Sequence, residues 1–60
     1  MFNYRCKCIK DTTIDKIVVG NSYRYDKENN AFKVMYDETD KTFQVVYGNK
    51  EWFEEHFNVR

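Results

Sequence analysis

Two six-residue runs constrain this chain more than anything else in it. In Ala31–Tyr36, Phe32, Val34 and Tyr36 alternate with Ala31, Lys33 and Met35. In Thr42–Tyr47, Phe43, Val45 and Tyr47 alternate with Thr42, Gln44 and Val46. A period of two places alternate side chains on opposite faces, as in a half-buried strand. β-branched and aromatic residues dominate both runs and disfavour helix. The polar stretch Asp37–Lys41 joins them, so the sequence predicts an antiparallel hairpin.

The same period opens the chain. Phe2, Tyr4, Cys6 and Cys8 share one face, and Asn3, Arg5 and Lys7 the other, which predicts a first strand ending near Ile9. Lys10–Asp15 reads as a polar loop. A turn at Gly20-Asn21 follows, then a second strand over Ser22–Tyr25 and a turn over Asp26–Asn30, where Asn29 and Asn30 tolerate positive φ. After Gly48 the pattern changes. Asn49 is placed to cap a short helix, with Glu51 in its first turn. Phe53 and Phe57 lie four apart on one helical face, and Trp52 and His56 on the adjoining one. Val59 is placed to seal a last short strand.

These elements predict a mainly β fold: a small five-stranded SH3-like barrel with one short helical turn near the C-terminus, residues 1–60 forming a single domain. The order of "YRCKCI", "VVGNSYRY", "AFKVMYDETDKTFQVVY" and "WFEEHFNV" resembles the small SH3-like proteins of Gram-positive bacteria and their phages, most of which have no known function. The resemblance implies the fold and carries over no functional residue. The acidic and aromatic pattern of signalling SH3 domains is not matched, so recognition of proline-rich peptides is not implied.

A domain of 60 residues buries only about 60% of the surface its unfolded chain exposes. Most of the five Tyr, five Phe and one Trp are therefore needed as core. Ten basic residues balance ten acidic ones. The overall basic excess usual in nucleic-acid binders is missing. Charge is still polarised along the chain, because Arg5, Lys7 and Lys10 precede the first acid, Asp11, and acids weight the later half. No run approaches the roughly 20 apolar residues that span a membrane. The opening residues lack a signal-peptide pattern, and two cysteines are too few for a secreted disulfide framework. A cytoplasmic protein is the expectation.

Three sets of residues compete as sites. Cys6 and Cys8 with His56 offer metal-ligand chemistry, but zinc pairs use two to four intervening residues and a second pair is missing. Their phase beside Tyr4 predicts instead that both cysteines are small core hydrophobes. His56 among Glu51, Glu54 and Glu55 has no assignable nucleophile, so neither an enzyme nor a cofactor is predicted. Of Tyr23, Tyr25, Tyr36, Tyr47 and Trp52, two or three are expected at the surface, Trp52 foremost because Phe53 and Phe57 take the inward helical direction.

The leading expectation is a non-catalytic protein-interaction module, of the kind a phage or mobile element uses to modulate a host protein. Its partner would meet Trp52, Tyr25, Tyr47 and His56. The alternative is a small nucleic-acid-binding barrel contacting phosphates through Arg5, Lys7, Arg24 and Lys33. A Cys6, Cys8 and His56 metal site is the third reading. A homodimer through an open strand edge or a Trp52 patch is compatible with any of these.

Overall fold

A computed structural model describes residues 2–59. Five strands form one antiparallel sheet: β1 (Tyr4–Cys8), β2 (Ser22–Glu28), β3 (Ala31–Glu38), β4 (Phe43–Gly48) and β5 (Phe57–Val59). A single helix, α1 (Lys50–His56), separates the last two. The strand order is β4-β3-β2-β1-β5. The meander runs outward from β1 to β4, and the chain then returns through α1 to pair β5 with β1. The sheet is open, with β4 and β5 as its edges, so the five strands and the helix follow the expectation and closure into a barrel does not.

Register fixes which side chains share a face. Tyr25 pairs with Tyr4 on one side and Val34 on the other, and Val34 pairs with Val46. Cys6 pairs with Tyr23 and Val59, and Cys8 with Phe57. Side chains in this set share the face that carries α1, with Tyr4 and Val59 exposed at its margin. The core is Cys6, Cys8, Ile17, Tyr25, Val34, Phe53 and Phe57, with Ile14, Tyr23, Phe32, Tyr36, Val46 and Trp52 packed against it. Phe53 stacks on Phe32 at 4.3 Å between ring centroids and on Phe57 at 5.4 Å. Tyr25 leans on Phe53 at 4.7 Å. Rings in such offset contacts contribute beyond their buried area. One aromatic stack therefore ties the helix to the middle of the sheet.

Local chemistry explains the turns and ends. The Asn49 side chain accepts the Trp52 N–H at 2.8 Å, the N-cap bond its position predicts. Asn29 takes φ 56° between β2 and β3, as an Asn at a tight turn tolerates. The loop from Ile9 to Asn21 has little regular structure and is pinned from within. The Tyr23 hydroxyl accepts the Val18 N–H at 2.8 Å and donates to the Lys16 carbonyl at 3.2 Å. Ile17 from this loop is buried in the core. The second strand runs to Glu28, three residues past the expected end, because Asp26, Lys27 and Glu28 all find ladder partners on β3.

Candidate functional site: the helix-free face of the sheet

The two faces of the sheet differ in cover. Opposite the helix, alternation along the strands brings Arg5 and Lys7 of β1, Arg24 of β2, Lys33 and Met35 of β3, and Val45 and Tyr47 of β4 to one surface. The rows across it are set by register: Lys7 beside Ser22; Arg5, Arg24, Met35 and Val45 in line; Asp26, Lys33 and Tyr47 in line. A groove of about 620 Å³ runs over this surface, walled by Phe2, Arg24, Lys33, Met35, Phe43 and Tyr47. Phe2 does not continue the inward phase of β1. It crosses to the groove and meets Phe43 edge-on at 5.7 Å, with Lys33 Nζ 5.4 Å from its ring centroid.

The electrostatics of this surface are uneven. Arg5 and Arg24 are direct cross-strand partners, and like charges so placed oppose each other. Among the described residues neither arginine, nor Lys7, has an ion pair. Lys33, Lys16 and Lys10 are engaged. Lys33 donates to Glu28 at 3.1 Å, a bond that raises its pKa. Lys16 donates to Asp37 at 2.7 Å, and Lys10 pairs with Glu55. Glu38 lies at one end of the groove, and Asp26 accepts the Lys27 N–H at 2.8 Å. Arg5, Lys7 and Arg24 thus form a basic trio with no ion pair among the described residues, bordered by exposed rings and by Asp26, which shares this face opposite Lys33. Phe43 and Tyr47 are 57% and 59% exposed.

The residues expected to meet a protein partner are not brought together. Tyr25 is 5% exposed at the centre of the core, since its place on β2 faces the helix. Trp52 is half-buried and lies over Gly48, where a built Cβ would sit 2.7 Å from its Cδ2 atom. The glycine makes room for the indole, so Trp52 turns toward the sheet rather than outward. The His56 ring lies tilted against Trp52 at 5.2 Å, and its Nδ1 bonds to the Trp52 carbonyl at 2.8 Å. Tyr47 is exposed, on the other face. Of the five rings Tyr23, Tyr25, Tyr36, Tyr47 and Trp52, it alone is fully displayed.

Cys6 and Cys8 lie in the core, as their phase predicts. Cys6 Sγ reaches the Tyr23 carbonyl at 3.6 Å and Cys8 Sγ the Lys10 carbonyl at 3.3 Å. Burial, reinforced by Cys8, pushes the Cys6 thiol up to about 12, so it stays protonated and is a poor metal ligand. Among the described residues no group of three or more His, Cys, Asp or Glu is placed to hold a metal ion. No helix among them is long and apolar enough to cross a membrane.

The residues proposed for phosphate contact, by contrast, share a face: Arg5, Lys7, Arg24 and Lys33 all lie opposite the helix. Sequence reasoning missed Phe2 and Phe43 as their neighbours. The alternation in Thr42–Tyr47 shows that Phe43, Val45 and Tyr47 go together, but not which way they point. No protein-family model, curated protein or solved structure matches the chain.

Proposed function

We propose that this protein is a non-catalytic binding module whose working surface is the helix-free face of its sheet, and whose partner carries negative charge. One observation carries the reading: Arg5 and Arg24 stand opposite each other on adjacent strands, with Lys7 nearby and no counter-charge paired to any of the three. An anion between them relieves a repulsion the free protein otherwise bears. The formal charge of zero conceals this arrangement, because Glu51, Glu54 and Glu55 belong to α1 on the opposite side. The helix thus carries three of the acids, while the opposite face sets Arg5, Lys7, Arg24 and Lys33 against Asp26, Glu28 and Glu38 and keeps a small basic excess. The order of five strands, with a helix between the last two, also supports reading the fold as an open relative of the SH3-like barrel.

The test is retention on a heparin column at low salt. Wild type is expected to bind and elute as salt rises, whereas Arg5→Glu/Arg24→Glu flows through with an unchanged melting temperature. Equal behaviour of the two proteins would remove this face as the working surface.

A further inference from the structure

Resting on that reading, we infer that the partner is a single-stranded nucleic acid, with its phosphates at Arg5, Arg24 and Lys7 and its bases against Tyr47 and Phe43. A basic patch alone would suit any polyanion. The distinguishing feature is what stands beside it. Across the same face, the row of Arg5 and Arg24 continues into Met35 and Val45, and the adjoining row runs from Asp26 through Lys33 to Tyr47. Strands lie about 4.8 Å apart, so cations on β1 and β2 and rings on β4 are separated by roughly 10–15 Å. That separation lets a backbone follow the cations while its bases turn toward β4.

Exposed rings on an open sheet receive unstacked bases, whose flat faces are apolar and whose identity matters little to the stack. A duplex hides those faces inside its own stack and offers only phosphates. A purely acidic peptide satisfies the arginines but has nothing to place against the rings. Half-buried Met35 and Val45 provide the apolar floor between the two, where a base loses water at little cost. Phe2, edge-on to Phe43, supports that ring from the side. Four strands of this width present about two or three bases with a surface, so affinity is modest and set by few contacts. Glu38 at the groove end and Asp26 opposite Lys33 repel the backbone and limit the path a strand takes.

Three unpaired cations predict a salt dependence. With about 0.7 counterions released per phosphate neutralised, log K falls with log salt at a slope of about −2. Replacing one arginine flattens the slope by about 0.7.

The experiment is fluorescence anisotropy with a labelled oligothymidine, a labelled duplex of equal length and a labelled poly-glutamate peptide. Each is titrated with wild type, Tyr47→Ala, Arg24→Gln and, as a control on the helix, Glu54→Gln. The expected result is preference for oligothymidine over both other probes. Tyr47→Ala is expected to lose about tenfold in affinity with its salt slope intact. Arg24→Gln weakens binding and flattens the slope, and Glu54→Gln changes nothing. Equal binding of oligothymidine and poly-glutamate, or an unaltered Tyr47→Ala, overturns base stacking, while heparin retention leaves the basic surface standing. Tighter binding of duplex than of single strand overturns it as well. Thermal melts of the variants confirm that each is folded, which the exposure of Tyr47 and Arg24 favours.

Discussion

The helix-covered and helix-free faces are made by the same strands, and different forces organise them. On the covered face, Phe53 is 1% exposed, Cys6, Cys8 and Val34 are as deeply buried, and rings stack from Phe32 through Phe53 to Phe57. No buried side-chain nitrogen or oxygen there lacks a partner among the described residues. The other face keeps rings in solvent and leaves two arginines opposed. In a domain this small, core is scarce, and apolar surface left uncovered marks where something else is met. One face holds the protein together, and the other is available for recognition.

That contrast is open to direct attack. The largest effect belongs to Phe53→Ala, which removes the ring joining Phe32, Tyr25 and Phe57. It is expected to cost about 3–5 kcal/mol, and a chain of this size holds only about 3–9 kcal/mol in all. Circular dichroism should show loss of a cooperative melt, and a stable Phe53→Ala would show that the helix is not the keystone of the covered face. Gly48→Ala comes next. Its new Cβ meets the Trp52 ring, and the overpacking is expected to cost about 1–3 kcal/mol, read as a lower urea midpoint.

Smaller still, Tyr47→Ala on the free face should change stability by no more than about 0.5 kcal/mol, since its ring is mostly in water. A large loss would mean that Tyr47 is structural and the division between faces is false. The smallest effect is one of pH. Lys16 beside Asp37 holds that carboxyl below its ordinary 3.8, so the ion pair contributes stability above pH 3.8 and loses it as pH falls through the lower folded value. Both groups are near the surface, and added salt should erase the difference between wild type and Lys16→Ala in thermal melts taken across that range.

Much of the covered face was legible in the sequence. Period two placed Cys6 and Cys8 together, spacing of four placed Phe53 with Phe57, and Asn49 announced the helix. Each is a local rule acting over a few residues. What escaped was relative. Alternation in β4 does not say which set points at α1; pairing of Val34 with Val46 decides that, and it sends Phe43 and Tyr47 outward. A register shift between Met35 and Asp37 sits in the same ladder. The inward turn of Trp52 depends on the bare backbone at Gly48, a tertiary fact that helical spacing alone does not contain. Closure of the barrel was likewise a long-range matter, and β4 and β5 remain apart.

The seat of Trp52 has a practical consequence. It is the single tryptophan in the chain, lodged between Gly48, His56 and Phe57, so the protein carries one indole, whose emission lies to the red of the five tyrosines and reports on the helix. Its emission should redden when the helix lifts from the sheet and stay still when the opposite surface is occupied. An unlabelled sample can therefore show that the fold stays intact while a partner is titrated onto the other face.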